Sequence, residues 1–321
     1  MDYIPAPSKF SIERNRAFVY RAQPSTKMNL SQIKTATLLL CLSIYSLHEC
    51  AAQSPATEGV PAGKDAAPGV RLIGRIQHPR ITESSGIAAS RQFPGVLWTH
   101  TDGGGPKKQV LYAIGFDGRS LGEFHVADVA IADWEDIAID DQKHLFIADT
   151  GNNELERSQL AVHQVDEPDP KSNARVVHPT RTWRLRFPDQ PFDCESLFVW
   201  QGSGYVVSKV FKDSRAQIFR FPLVDQKAPA TLELVATTRI ESPVTGADIS
   251  PDGKLLGLVA KSGAFVYRID GDVARAGKGK PFQTKFRHES IEGCAFVPEG
   301  MVATAESRDI YLYTDPAFRW K

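Results

Sequence analysis

The chain has 321 residues, of which 42% are apolar and 24% charged, and its formal net charge is zero. This composition is typical of one large globular domain, or two small ones, with a substantial apolar core. Lysine and arginine side chains form no cluster among aromatic residues, so the sequence lacks the basic surface that nucleic-acid binding requires. Nucleic acid is therefore not an expected partner.

The first predicted element is a secretory signal peptide within residues 1–52. Its apolar run, TATLLLCLSIYSL at 35–47, follows Lys34 and is shorter than a membrane span. Small residues before Gln53 predict cleavage there, and Met28 is an alternative translation start. A packed N-terminal helix and a lipid anchor on Cys50 are the alternative interpretations. We expect a secreted or periplasmic protein with no membrane span after cleavage.

Residues 53–68 are predicted to form a flexible leader, because they are rich in Ala, Pro and Gly and show no apolar period. Residues 69–321 are predicted to form a single domain. From Val70 onward, short segments alternate apolar and polar residues with a period of two and are separated by Gly, Pro and Asp-Gly turns. This pattern predicts an all-β fold.

The predicted strands fall into five groups, which begin with GIAAS, WEDIAID, ESLFVW, GADIS and IEGCAFV. Alignment of these strands places Gly86, Asp136, Ser196, Ala247 and Gly293 in register, at spacings of about 46 to 60 residues. Such a repeat of four strands is typical of a β-propeller blade. The last group has only three strands, and VRLIGRIQ at 70–77 can supply the fourth. We therefore predict a five-bladed propeller closed by its N-terminal strand, with six blades as the alternative.

Acidic residues recur where the predicted blades open on one face, around the central channel. The entries of the innermost strands carry Glu83, Glu135, Glu195, Thr245 and Glu292, and the exits of the second strands carry Asp102, Asp149, Lys209, Lys261 and Glu306. Carboxylates crowded around one axis need a proton, a cation or a lysine nearby. Oxygen ligands without a His/Cys cluster favour Ca²⁺, with Mg²⁺ as the alternative. The competing interpretation is that these acids cap turns and satisfy backbone amides.

Signatures of other catalytic classes are absent from the sequence, including a GxSxG elbow, an HExxH motif, a P-loop and a dinucleotide fingerprint. His100 lies two residues before Asp102 on the same predicted strand. It could serve as a base or a substrate contact at the mouth of the channel, or it could be a half-buried strand histidine.

The segments ESSGIA, WEDIAI, LYAIGFDG, LFIADTGNN and IEGCAFV resemble those of secreted bacterial propellers of the esterase-like or phytase-like type. The chain is also similar to the gluconolactonase and senescence-marker propellers and, in its number of blades, to the calcium-activated apyrases. This resemblance covers residues 70–315. It implies a metal held by Glu83, Glu135, Glu195 and Glu292, with Asp102 and Asp149 completing its shell or positioning water, and it implies that Lys209 and Lys261 contact an anionic substrate.

If the protein is an enzyme, the resemblance implies metal-dependent hydrolysis of a phosphoester, ester or lactone. The metal would polarise the scissile oxygen, and a carboxylate, Glu135 or Asp149, would accept the proton of water. Thr245, in place of a fourth-blade acid, departs from a full acidic ring. A non-catalytic propeller that binds an envelope ligand is the competing hypothesis, and a propeller with purely structural ions is a third. We expect a monomer.

Overall fold

The structure, a computed structural model, describes residues 59–210 and 214–320. These residues form five β-sheets and two short 3₁₀ helices, Val273–Gly277 and Pro316–Phe318. The innermost strands of the sheets contact one another in a closed ring that follows the chain order. The predicted all-β, five-bladed propeller is therefore confirmed. The predicted signal peptide lies outside the described residues, and none of the helices within them is long and apolar enough to cross a membrane.

The strands are as follows. The chain begins with Lys64–Ala67 (β1) and Val70–Arg75 (β2), which belong to the last blade. Blade I contains Ser84–Ala89 (β3), Val96–Thr101 (β4), Val110–Gly115 (β5) and Ser120–Val126 (β6). Blade II contains Trp134–Ile139 (β7), His144–Asp149 (β8), Gln159–Asp166 (β9) and Arg181–Arg186 (β11), while Val176–Val177 (β10) pairs in parallel with β6.

Blade III contains Cys194–Trp200 (β12), Ser203–Ser208 (β13), Gln217–Pro222 (β14) and Glu233–Thr237 (β16), while Ala230–Thr231 (β15) pairs in parallel with β11. Blade IV contains Val244–Ile249 (β17), Leu255–Ala260 (β18), Gly263–Arg268 (β19) and Phe282–Lys285 (β20). Blade V contains Ile291–Val297 (β21), Gly300–Ala305 (β22) and Asp309–Tyr313 (β23).

The N-terminal segment closes the ring, as the sequence predicts. Strand β2 pairs antiparallel with β23, so that Val70 lies opposite Tyr313 and Arg75 opposite Asp309. Arg75 also donates a hydrogen bond to the Asp309 carboxylate at 2.6 Å. Strand β1, which lies within the predicted leader, pairs with the outer edge of β2. The first and last parts of the domain thus share one blade, and the edge of β23 is covered.

The apolar core is divided among the five spaces between neighbouring blades. Trp98 of blade I and Trp134 of blade II are fully buried in one such space, and Phe198 of blade III packs near Leu258 of blade IV in another. Each blade is covered on both faces, which is why its strands are apolar on both faces. The packed blades form a rigid scaffold for the loops around the channel.

Each innermost strand carries a β-bulge near its first residue, at the end that opens on the mouth of the channel. The bulge residues are Ser85–Gly86 in blade I, Glu135 in blade II, Glu195 in blade III, Thr245 in blade IV and Glu292–Gly293 in blade V. In this register Gly246, and not the predicted Ala247, aligns with Asp136. A bulge adds an unpaired residue and re-aims its side chain. Acids therefore occupy this position in three blades, and hydroxyl residues occupy it in two.

Two buried carboxylates join neighbouring innermost strands further along the channel. Asp136 of blade II accepts a hydrogen bond from the Leu197 N–H of blade III at 2.8 Å. Asp248 of blade IV accepts one from the Phe296 N–H of blade V, also at 2.8 Å. Burial raises the pKa of both carboxyl groups, that of Asp248 to about 6. These side chains tie adjacent blades together at the axis.

Candidate metal centre at the mouth of the channel

Three carboxylates, which we call the acidic cluster, meet where blades I and II open on the mouth of the channel. They belong to Asp102, which follows β4, to Asp133, which precedes β7, and to Glu135, the bulge residue of β7. One oxygen from each lies within 4.8 Å of the others. Glu135 is buried, whereas Asp102 and Asp133 are half-buried. The cluster therefore reaches solvent on one side.

The loop after β4 brings Asp102 to blade II because its glycines allow close contact between backbones. Gly103 forms a β-bridge with Trp134, whose backbone N–H donates to the Gly103 carbonyl oxygen at 3.3 Å. A Cβ atom on Gly104 would lie 2.0 Å from the Ala132 carbonyl oxygen, so a side chain at this position would collide with backbone. The DGGG run thus serves this approach between two blades.

Asp149 supports the acidic cluster and is not a member of it. Its carboxylate accepts hydrogen bonds from the N–H groups of Ala132 at 3.0 Å and Asp133 at 2.9 Å, and from the Arg157 guanidinium at 3.0 Å. Burial alone would raise the pKa of Asp149, but the nearby His163 ring, the hydrogen bonds from the two backbone groups and the charge of Arg157 lower it below its ordinary value. Asp149 is therefore an ionised residue that fixes the backbone around Asp133.

Gly151 lies against two members of the acidic cluster. Its N–H donates to the Asp133 carbonyl oxygen at 3.3 Å. A Cβ atom on Gly151 would lie 2.1 Å from Glu135 Oε1 and 2.3 Å from Asp133 Oδ2. A side chain there would occupy the space that the carboxylate oxygens now fill. The lack of a side chain at residue 151 is thus part of the geometry of the cluster.

The electrostatics of the acidic cluster fit a bound cation. Burial raises the pKa of Glu135 to about 10, and the charges of Asp102, Asp133 and Asp193 act in the same direction, while Lys209 opposes them. Burial, followed by the charge of Asp102, also raises the pKa of Asp133. These carboxylates need either a proton or a cation. Three hard oxygen donors with a glycine cradle beside them are suited to Ca²⁺ or Mg²⁺.

Glu195 occupies the bulge position of blade III, but its charge is already paired. The Lys209 ammonium donates a hydrogen bond to Glu195 Oε1 and lies 3.9 Å from Asp193 Oδ2. The other Asp193 oxygen accepts from the Asn152 N–H at 2.7 Å. Glu195 therefore belongs to an ion pair beside the acidic cluster.

Glu292, the acid of blade V, lies in the field of both lysines at the mouth. Burial raises its pKa to about 8, and Glu306 adds to this shift, whereas Lys209 and Lys261 oppose it. Lys209 directly follows β13 and Lys261 directly follows β18. The two lysines of the mouth therefore lie at blades III and IV, whereas the acidic cluster lies at blades I and II.

Glu83 and His100 lie apart from the acidic cluster. Glu83 is exposed and precedes β3, and Ser85 occupies the bulge position instead, donating to the Glu135 carbonyl oxygen at 2.6 Å. The His100 ring is fully buried, lies edge-on to Trp134 at 5.8 Å, and has its pKa lowered by burial to about 4. His100 is therefore a neutral ring within the packed blades.

Of the cluster residues, the sequence pattern did not assign Gly151, and it indicates Asp133 only as an acid beside Glu135. Asp133 lies in the same acidic stretch as Glu135, but nothing in the repeat distinguishes it as a ligand. The useful signals are the glycines of DGGG and of the DTGNN segment, because consecutive small residues at strand exits indicate close backbone approach. Together these glycines indicate that the exit of β4 and the exit of β8 both approach the entry of β7.

Comparison with protein-family models and with curated proteins finds no match to this sequence. Among solved structures, the chain is similar to the Dos1 propeller, with 12% identity and a TM-score of 0.38 over 69% of this chain, and it spans 53% of that chain. It is also similar to the major Malassezia sympodialis allergen Mala s 1, with 13% identity and a TM-score of 0.52 over 80% of this chain and 99% of that one. The first likeness carries no argument at that score, and the second concerns fold alone. The function must be inferred from the site.

Proposed function

We propose that this protein is an exported propeller that binds Ca²⁺, or alternatively Mg²⁺, through Asp102, Asp133 and Glu135. We further propose that it hydrolyses an ester, a lactone or a phosphoester at this site. The observation that carries the proposal is the convergence of three carboxylates, two of them against Gly151, with the pKa of Glu135 raised to about 10 by burial and by its acidic neighbours. Export rests on the signal-peptide pattern of residues 1–52.

Each residue of the site has a distinct role in the proposed reaction. A divalent cation in the acidic cluster would polarise the scissile oxygen of the substrate. Glu135 is the buried member of the cluster, and with a cation bound it would be ionised and placed to accept a proton from water. Asp149 keeps the Asp133 backbone in place through its two hydrogen bonds. Lys261, across the mouth, favours a substrate with an anionic group, and Lys209 would contact the same group only by leaving its ion pair with Glu195.

The proposal can be tested with a panel of 4-nitrophenyl acetate, 4-nitrophenyl phosphate and gluconolactone, in Ca²⁺, Mg²⁺ or EDTA. Asp133→Asn removes a cluster charge, and we expect it to lower the metal-dependent rate by roughly 100-fold or more. Glu123→Gln is the matched control, because Glu123 pairs with Arg80 at the exposed edge of blade I. Hydrolysis that survives both EDTA and Asp133→Asn would contradict the proposal.

A second candidate function is metal-dependent binding without catalysis. It is favoured by the complete burial of the His100 ring, which leaves the mouth without this histidine as a base. In that case the cation and the lysines would hold an anionic envelope ligand. Saturable cation binding with no turnover of any substrate in the panel would favour this function over hydrolysis.

A further inference from the structure

At the opposite end of the channel, the loop between β3 and β4 carries Arg91, whose charge partly offsets the rise in the pKa of the buried Asp248 but forms no hydrogen-bonded ion pair among the described residues. The side chain of Arg91 is 17% exposed, and its one ion pair, with the exposed Asp141, spans 3.9 Å. That distance is too long for a hydrogen bond. The Arg91 guanidinium donates no hydrogen bond to any other residue in the part of the chain that the structure describes. A largely buried cation in this state favours an added acceptor.

Arg91 lies where two grooves meet. One groove, of about 480 Å³, runs between blades V and I and is lined mainly by apolar side chains, among them Val60, Ala89, Phe116 and Trp320. The other, of about 590 Å³, runs between blades II and III and is largely polar. Arg91 and Pro251 line both grooves. The arginine thus stands at the polar end of an apolar cleft.

The chemistry of the apolar groove specifies its occupant. Its volume falls within the range of roughly 300–1,000 Å³ that is usual for small-molecule sites, which are mostly apolar with a few polar groups. Among the lining residues that the structure describes, Glu299, which is exposed, is the only charged one besides Arg91. The Arg91 guanidinium and the apolar wall therefore suit a ligand with an acceptor head and an apolar body.

We propose that this groove binds a small amphipathic carboxylate. The apolar body lies between blades V and I, and the carboxylate accepts hydrogen bonds from the Arg91 guanidinium, whose planar fork matches two carboxylate oxygens. Asp141 competes with the ligand for the same charge. The site lies at the other end of the channel from the acidic cluster, so it does not depend on the function proposed above.

The test is calorimetric titration with octanoate and with 1-octanol, its uncharged counterpart, in EDTA. We expect octanoate to bind saturably and about tenfold or more tightly than 1-octanol, because a charge-assisted hydrogen bond is worth that factor. Arg91→Gln should abolish the preference without weakening 1-octanol binding. Asp141→Asn should tighten octanoate binding by about twofold or more, since a competing charge is removed.

Two further variants keep the test independent of the folding of Arg91→Gln. Ala89→Leu fills the apolar groove and should weaken both compounds, while Arg181→Gln, at the far side of the polar groove where Arg181 pairs with Asp225, should change neither. Melting curves check that each variant folds. The proposal is overturned if the wild type binds no octanoate or binds both compounds equally. It is also overturned if folded Arg91→Gln keeps the preference for octanoate, or if Ala89→Leu weakens the binding of neither compound.

Discussion

At the scale of single residues, the position of a carboxylate in the ring does not decide its chemistry. Glu135 and Glu195 occupy the same bulge position in neighbouring blades, and both are buried. Glu195 lies against the Lys209 ammonium, whereas Glu135 faces two further carboxylates. The first is a satisfied ion pair, and the second is a group of carboxylates that form no ion pair among the described residues. The difference comes from the second-strand exits, which supply a lysine in blade III and aspartate in blade I.

This contrast predicts opposite effects of two matched substitutions on the metal-free protein. Glu195→Gln breaks a buried ion pair and should lower the free energy of unfolding by about 3–5 kcal/mol. Glu135→Gln removes a carboxylate that is desolvated and crowded, so it should leave this free energy unchanged or raise it. Urea unfolding in EDTA measures both. A larger loss in Glu135→Gln than in Glu195→Gln would contradict this account of the ring.

Asp248 predicts a pH dependence of stability. Burial raises its pKa in the folded protein to about 6, above the ordinary value of 3.8, so folding favours the protonated form. The resulting stabilisation is fully present below the unfolded pKa and is lost as the pH rises through about 6. Relative to Asp248→Asn, the wild-type protein should therefore lose up to about 3 kcal/mol between about pH 4 and pH 7.

The measurement is urea unfolding of both proteins across this pH range. Asp225→Asn serves as the control, because Asp225 is exposed and makes only a surface ion pair. A difference between wild type and Asp248→Asn that stays constant with pH, or that grows in favour of the wild type, would refute the assignment.

At the scale of elements, two loops with small residues build the acidic cluster. The DGGG loop carries Asp102 to the entry of blade II, and the exit of β8 places Gly151 against the carboxylates of Asp133 and Glu135. Gly151→Ala should therefore abolish the stabilisation by Ca²⁺, because its Cβ would displace both carboxylates. Gly277→Ala is the control, since a Cβ there makes ordinary contacts of 3.4 Å. The melting temperature with and without Ca²⁺ is the measurement, and an undiminished shift in Gly151→Ala would contradict this role.

The sequence predicts most elements of the fold but not their local irregularities. Period-two patterns and Asp-Gly turns place the five innermost strands, and the three-stranded last group indicates closure by residues 70–77. The bulges escape this reasoning, because an extra unpaired residue shifts the register without changing the apolar pattern. For that reason the sequence alignment places Ala247, instead of Gly246, in register with Asp136. Strand β10 lies in a polar stretch that resembles a loop. It is not predictable from its own sequence, because it is a strand only through its pairing with β6, which is distant in the chain.

The acidic cluster itself could be predicted only in part. The repeat indicates that acids gather at the mouth, and Asp102 and Glu135 are among those it singles out. Which acids touch depends on how closely the backbones of blades I and II approach one another, and this is a tertiary property. The pairing of Glu195 with Lys209 likewise follows from the packing of blade III.

At the scale of the whole molecule, ring closure by the N-terminal hairpin predicts strong dependence on that segment. A chain that begins at residue 77 lacks β1 and β2 and leaves the edge of β23 uncovered. We expect its melting temperature to fall by about 10 °C or more relative to a chain that begins at residue 59. Differential scanning calorimetry and light scattering compare the two. Equal melting temperatures and equal solubility would show that the hairpin does not lock the ring.

The propeller has chemically different openings at the two ends of one channel. One carries Asp102, Asp133 and Glu135, and the other carries Arg91 beside an apolar groove. Because the packed blades hold both openings, a change at one end should be measurable without loss of the other. The cation site is the feature on which the proposed function depends.

The most direct test of that site is a Ca²⁺ titration of the protein from residue 53 onward, followed by calorimetry and by melting temperature, for wild type, Glu135→Gln and Glu195→Gln. We predict saturable binding of one ion with a raised melting temperature in the wild type, loss of both in Glu135→Gln, and retention of both in folded Glu195→Gln. Absence of binding in the wild type, or equal binding in Glu135→Gln, would contradict the assignment of the acidic cluster as a metal centre.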